Sequence, residues 1–444
     1  MKTPPETNPP SVLMGDKQGG DADSRWLWVE PEVWTERMLG ALETGVKGNR
    51  WFSLMDKVYR LNTLELAWEK VKSNAGSSGV DGMTIGCFAK DCTTRLLALN
   101  EQLRLGTYQP SPVKRCWIDK TGTNEKRPLG IPTVVDRIVQ TALRMVIEPI
   151  FEHRFAEHSY GFRPGRGCKD ALHRVQHLLE EGHTWIVDAD LKSYFDTIPH
   201  ERLMKQVGER VADGRILGLI QSYLKQEVMD GLTTFQAGED GTPQGAVISP
   251  LLANIYLNPL DHLLAGLGYE MVRYADDFVI LCKSEKEAHN ALAQVQTWVE
   301  QNGLTLHPQK TRLVDATQPG GFDFLGYHFE KGLRWPRKKS MDKLKDSIRQ
   351  LTRRTSGIAL TESIEKLNTR LRGWFEYFQH SHRTTFPSVD GYVRGRLRSI
   401  LRKRLGKRGR ARGSDHQLWP NLYFRDLGLY SLTQAFGSLS KSLK

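Results

Sequence analysis

Through the first third of the chain, apolar positions recur at helical spacing. Leu54, Val58, Leu61, Leu64, Ala67, Trp68 and Val71 share one face of a helix over residues 54–74, and the turn-rich Asn74-Ala-Gly-Ser-Ser-Gly79 ends it. From Tyr108 the period shortens. Residues 113–118 and 127–131 read as the strands of a hairpin around a polar turn at 119–125, and helical spacing returns over 136–151. Residues 185–190 are an apolar run ending in an acid, the pattern of a buried strand that delivers a carboxylate at its end. Helices follow at 202–211, 215–227 and from Ser249. Residues 271–274 and 278–282 are strand runs around a polar tip of Ala275, Asp276 and Asp277, so two acids are displayed on a hairpin. After a further strand candidate at 321–329 the chain turns helical and basic, with Gly373 and Gly391 as interruptions. The expected class is α+β: an antiparallel sheet with helices, then a helical part.

Upstream, residues 1–24 predict a flexible leader and residues 26–46 a short helix, together an N-terminal extension over residues 1–50. A chain of 444 residues suits two or three domains. With 39% hydrophobic and 26% charged residues it excludes disordered, fibrous and membrane classes. It contains no run of about 18 apolar residues, and the Pro- and Gly-rich start has no apolar centre, so a cytoplasmic location and no membrane partner are expected. The five cysteines are scattered, which predicts reduced thiols rather than a disulfide framework or zinc knuckle.

Charge is divided unevenly. Residues 331–444 carry 27 basic and 8 acidic side chains, a net +19, against −7 for the remainder. A surface of that sign binds a polyanion through counterion release.

The acids suggest a chemistry. Phosphoryl transfer from a nucleoside triphosphate needs an in-line geometry and neutralisation of phosphate charge, which two Mg²⁺ ions about 3.5–4 Å apart provide. Hard ions take oxygen ligands. Asp190 at a strand end and Asp276 and Asp277 on a hairpin could meet only across an antiparallel sheet. An Asp-Asp pair alone is most often a solvated turn; here it stands between apolar strands, downstream of a strand-end acid.

Val187-Asp-Ala-Asp-Leu-Lys-Ser-Tyr-Phe-Asp-Thr-Ile198, Gly241-Thr-Pro-Gln-Gly-Ala-Val-Ile-Ser-Pro-Leu-Leu-Ala-Asn254 and Arg273-Tyr-Ala-Asp-Asp-Phe278 resemble, in order and spacing, the palm motifs of reverse transcriptases. Arg127-Pro-Leu-Gly-Ile-Pro-Thr133 with Asp136-Arg137, and Ser159-Tyr-Gly-Phe-Arg-Pro-Gly-Arg-Gly167, resemble the fingers motifs of bacterial group II intron reverse transcriptases. Residues 304–311 and Phe324-Leu-Gly-Tyr327 continue the series. Leu367-Asn-Thr-Arg-Leu-Arg-Gly-Trp-Phe-Glu-Tyr-Phe378 resembles their thumb, or maturase, domain, and Trp419-Pro-Asn with Gly428-Leu-Tyr-Ser-Leu432 their terminal segment. The resemblance implies a right-hand polymerase: helices and fingers over 51–180, palm over 181–335, helical thumb over 336–394 and a basic DNA-binding segment over 395–444. It also implies the form without a C-terminal nuclease, since no cysteine follows Cys282 and His416 is the last histidine.

By that resemblance Asp190, Asp276 and Asp277 carry two Mg²⁺ ions, which Mn²⁺ can replace, with the Leu191 carbonyl as a further ligand. Asp188 and Asp196 are poorer candidates. Phe195 sits under the incoming sugar, where it would collide with a 2′-hydroxyl and favour dNTPs. Gln244 lines the nascent pair, and Ala246 replaces a glycine common there. Lys120 and Arg127 contact the triphosphate, with Lys310 a weaker candidate. The implied partners are group II intron RNA, as template and splicing substrate, and a DNA target and primer. Arg370, Arg372, Arg394, Arg396, Arg398, Arg402, Lys403 and Arg404 are candidate nucleic-acid contacts. Residues 396–412 contain nine basic residues in seventeen and predict an amphipathic basic helix, for which a membrane surface is the competing physical reading. Trp374, Tyr377 and Phe378 read as helix core, and His173 and His177 as ordinary histidines.

Three functions stay open at this point: an intron-linked reverse transcriptase that promotes splicing and mobility, a domesticated reverse transcriptase in phage defence or DNA repair, and a maturase that only binds RNA. The oligomeric state is open too, with a homodimer among the arrangements.

Overall fold

The structure is a computed structural model and describes residues 25–119, 126–231, 233–236, 238–409 and 411–442. Eleven strands occur among those residues. They are β1 Val113–Asp119, β2 Lys126–Ile131, β3 Trp185–Asp190, β4 Val228–Asp230, β5 Thr233–Phe235, β6 Glu270–Tyr274, β7 Asp277–Cys282, β8 Arg312–Asp315, β9 Phe322–Phe324, β10 Tyr327–Glu330 and β11 Leu333–Pro336. They make three sheets, ordered β2-β1-β4-β5, β6-β7-β3-β8 and β11-β10-β9.

The central sheet is buried on both faces, so its strands are nearly continuous apolar runs. Val187, Ala189, Phe278, Ile280 and Cys282 enter one core with the helices Val134–Glu152, Ser249–Gly266 and Glu285–Gln301. Ile186, Val279 and Leu281 enter a second core with the helix Cys168–Glu180, the β9–β11 sheet and the helices Leu360–Phe378 and Thr385–Arg404. By strand alternation, the face that carries Ile186, Val279 and Leu281 also carries Asp188, Asp190 and Asp277 at its open end.

Several expectations change. The helix expected over 54–74 is two, Met55–Tyr59 and Leu61–Ser73, broken at Arg60 (ψ 135°) where Asn100 Nδ2 donates to the Tyr59 carbonyl at 2.5 Å. Gly373 and Gly391 interrupt nothing. They lie inside the helices Leu360–Phe378 and Thr385–Arg404, and a Cβ at either would meet nothing within 4 Å beyond its own helix. The basic run 396–412 is not one helix, because the chain leaves helical geometry after Arg404 and passes through Gly406 and Gly409 at φ 70° and 86°. The boundary expected at residue 335 falls at the end of β11, and apolar packing continues across it: Tyr327 on β10 gives its hydroxyl to the Tyr377 carbonyl at 2.6 Å and its ring packs on Phe378.

The N-terminal extension is also more than a leader. Residues 1–24 lie outside the described residues. From Trp26 onward the chain is docked, however: Trp34 is 1% exposed, donates its indole N–H to the Val146 carbonyl at 3.1 Å and packs edge-on against Trp51. Trp34→Ala should cost about 3–5 kcal/mol of stability, read as a lower urea midpoint. An unchanged midpoint would mean that residues 25–50 are not part of the main core.

Candidate active site

Register brings the acids together. β3 and β7 pair antiparallel with Asp190 opposite Asp277, and β6 and β7 close on Tyr274 opposite Asp277, leaving only Ala275 and Asp276 in the turn. The sequence pattern put Asp277 in the tip; instead it is the first residue of β7, paired with Tyr274, and only Ala275 and Asp276 form the turn. A two-residue turn needs positive φ, and Ala275 supplies it at 61°.

That strained turn is braced from below. Arg273 is 0% exposed and makes a two-pronged ion pair with Asp261 of the helix Ser249–Gly266, at 2.7 and 2.5 Å. Its remaining nitrogen donates to Asn254 Oδ1 at 2.9 Å and to the Ala275 carbonyl at 2.8 Å, the turn itself. Burial would depress the guanidinium, and the Asp261 carboxylate more than reverses this, so Arg273 stays charged. Residues 158–160 lie alongside β6 through Arg273 N–His158 O and Tyr160 N–Arg273 O bonds of 3.0 and 2.8 Å. Gly161 then passes so close that a Cβ there would collide with the backbone of Tyr274 and Ala275. Sequence reasoning read Arg273, Asn254 and Gly161 only as letters of motifs and passed over Asp261. A bulky cation between apolar strand residues was the available signal, because an arginine in a buried strand requires an acidic partner.

The carboxylates are crowded. Burial and the charges of Asp188, Asp276 and Asp190 push Asp277 up to about 7. Asp276 is raised by burial and by Asp190, opposed by the charges of Arg127 and Lys310. The acids of this end therefore lack positive charge. Lys310 partly supplies it, its Nζ 2.6 Å from Asp190 Oδ2, and its segment is anchored there by a 2.7 Å bond from His307 N to the Asp190 carbonyl. Asp188, on the same face, accepts from Arg312 Nε at 2.9 Å. Among the described residues no three acidic, histidine or cysteine side chains already close into a cage; Asp190 faces Lys310 instead. The all-oxygen donor set, on facing strands and short of cations, fits a hard divalent metal once Lys310 yields. The ladder beside Asp190 uses the Asp190 carbonyl and the Lys192 N–H, and not the Leu191 carbonyl.

A cavity of about 190 Å³ opens between the β1–β2 hairpin and the palm, lined by Phe195, Asp196, Gln244, Arg115 and Pro128 among others. Phe195 is half-buried against Tyr194 and Phe162. Gln244 donates to Asp196 Oδ1 at 3.0 Å, so Asp196 orients Gln244. The fingers hairpin is tied to this wall by a 2.6 Å bond from Gly130 N to the Gln244 carbonyl, and Gly245 (φ 106°) is required because a Cβ would strike the Gly130 carbonyl. Arg127 is exposed on β2. Lys120 lies outside the described residues.

The basic candidates divide. Arg398 is 3% exposed and spends its guanidinium on the Trp419 carbonyl and Asn421 Oδ1, at 2.9 and 2.8 Å. Arg396 binds Thr352 at 3.0 and 2.8 Å, and Arg402 pairs with buried Asp415 at 2.8 Å. These three stitch helices together, which corrects their reading as free nucleic-acid contacts. Arg370, Lys403 and Arg404 are exposed and Arg394 is half-exposed, while exposed Arg372 lies 5.5 Å from the Tyr430 ring. Trp374 and Phe378 are buried and Tyr377 donates to the Leu325 carbonyl at 2.7 Å, as the core reading expected. His173 packs edge-on against His380, and His177 lies 3.4 Å from Glu181.

The reverse transcriptase (RNA-dependent DNA polymerase) family model matches residues 118–329, and the group II intron maturase-specific domain matches residues 341–419. The chain belongs to the reverse transcriptases of the group II intron kind, a polymerase domain followed by a maturase-specific domain. It is 35% identical to protein YkfC of Escherichia coli (strain K12) over 294 residues, 57% of this chain and 76% of that protein. It is 34% identical to the group II intron-encoded protein LtrA of Lactococcus lactis subsp. cremoris over 232 residues, 52% of this chain but 38% of that one. The solved partial Cas6-RT-Cas1–Cas2 complex overlays with a TM-score of 0.37 at 25% identity, covering 56% of this chain and 41% of that one, too loosely to add an argument. None of the described helices is long and apolar enough to cross a membrane.

If the brace holds the catalytic turn, Asp261→Ala should cost about 3–5 kcal/mol by stranding a buried charge, and should lower nucleotide addition even where the variant remains folded. Normal stability together with normal addition would refute the brace.

Proposed function

We propose that this chain copies RNA into DNA at the Asp190, Asp276 and Asp277 end of the central sheet and binds group II intron RNA, promoting its splicing and mobility. The observation that carries the polymerase reading is the register of Asp190 opposite Asp277 with Asp276 on the adjoining turn. Two Mg²⁺ ions bound there would polarise the primer 3′-hydroxyl and neutralise the triphosphate.

The chain's own groups do the rest. Asp190, Asp276 and Asp277 would hold the ions, with the Leu191 carbonyl as a further donor. Lys310, 2.6 Å from Asp190 Oδ2, would give up that carboxylate to a bound ion and offer its ammonium to phosphate. Arg127, whose charge already acts on Asp276, balances the triphosphate, and Lys120 is proposed to join it. Phe195 meets the sugar face and discriminates against a 2′-hydroxyl by collision, while Gln244, held by Asp196, abuts the nascent pair. Arg370, Arg372, Arg394, Lys403 and Arg404 supply phosphate contacts for RNA and target DNA. The exposed cations of residues 331–444 and the maturase-domain match support the RNA-binding half of this reading.

Primer extension on an RNA template with Mg²⁺ should fall by about 10²–10³-fold or more in Asp276→Ala, while RNA binding measured by filter retention persists. Undiminished synthesis would remove the polymerase centre from these residues.

A further inference from the structure

The fingers sheet carries two large aromatic side chains that its core leaves open. Trp117 on β1 and Phe235 on β5 are 48% and 47% exposed. Val113 pairs with Val228 across β1 and β4, and Phe235 pairs with the same Val228 across β4 and β5. By alternation Arg115, Trp117 and Phe235 therefore share one face. Arg115 sits between the rings, its guanidinium carbon 5.7 Å from the Trp117 centroid and 5.8 Å from that of Phe235. Asp230 fixes the group, accepting from Trp117 Nε1 at 3.3 Å and standing 3.9 Å from Arg115 Nη1.

This cluster is continuous with the nucleotide cavity, since Arg115 lines that cavity along with Phe195 and Gln244. By the same alternation Lys126 lies on the Arg115 and Trp117 face, across from Asp119, while Lys114 and Arg127 lie on the opposite one.

We propose that Arg115, Trp117 and Phe235 form a stacking platform for an unpaired base of single-stranded RNA beside the nucleotide cavity. Every base has a π-face, so half-open aromatic rings and a guanidinium plane hold bases without regard to sequence. The proposal rests on reading the chain as a reverse transcriptase. An unpaired base can come from the template ahead of the primer terminus or from a loop of a bound folded RNA, and the platform recognises the same chemistry in both.

The test uses the full chain and a fluorescein-labelled single-stranded RNA of about 12 nucleotides. Trp117→Ala combined with Phe235→Ala should weaken binding about tenfold or more, and Trp117→Phe should restore most of what Trp117→Ala alone removes. 2-Aminopurine placed in a template overhang, or in the loop of an RNA hairpin, then separates the two sources. Its quenching on binding should be relieved by the double substitution in the arm that supplies the base. Unchanged affinity of the double variant, or relief in neither arm, overturns the platform. Neither readout requires nucleotide addition, so the result stands whether or not the Asp276→Ala comparison supports polymerisation.

Discussion

Asp190 and Asp277 stand opposite one another on neighbouring antiparallel strands, and the rest of the fold has to hold those like charges side by side. Left to themselves the carboxylates would separate into solvent. The sheet denies them that freedom because its two faces are buried in two different cores, which fixes the register of β3 against β7 to the residue. A slip of one position would exchange the two cores' side chains and turn the acids to the opposite face. The electrostatic cost appears as an Asp277 carboxyl pushed up to about 7 by burial and its acidic neighbours. Positive charge therefore belongs at this spot, and Lys310 supplies part of it.

The same requirement explains the close contacts around the turn. Asp276 reaches the tip only because Ala275 adopts a left-handed conformation, and Arg273 holds the Ala275 carbonyl from a fully buried position. Arg273 is in turn neutralised by Asp261 and touched by Asn254, which also donates to the Gly161 carbonyl at 2.8 Å. A motif residue, a helix acid and a glycine far apart in sequence thus act as one rigid support. Elsewhere on the palm, Gly245 lets the fingers hairpin approach closely, because a Cβ there would strike the Gly130 carbonyl.

Much of this was legible in the chain. The apolar run ending at Asp190 and the paired runs around Asp276 are local patterns, and β3, β6 and β7 occur where those patterns place them. The motifs identified the family because they carry chemistry in short windows. What escaped depends on distant partners. The break at Arg60 needs Asn100, the docking of Trp34 needs Val146, and the brace needs Asp261, none of which periodicity can announce. The basic tail shows the same limit: charge alone gave Arg370 and Arg398 equal standing, yet one is exposed and the other is consumed by Trp419 and Asn421. Short strands such as β4 and β5, three residues each, carry too little pattern to be seen.

The open end of the β3–β7 ladder is the proposed seat of divalent metal. Iron-directed cleavage examines this without any nucleotide addition. With Fe²⁺ and ascorbate, the full chain should be cut near residues 188–191 and 274–278, two segments distant in sequence and adjacent in the sheet, and excess Mg²⁺ should suppress both cuts together. Cleavage confined to other segments, or cuts at these two that Mg²⁺ leaves unchanged, would contradict it.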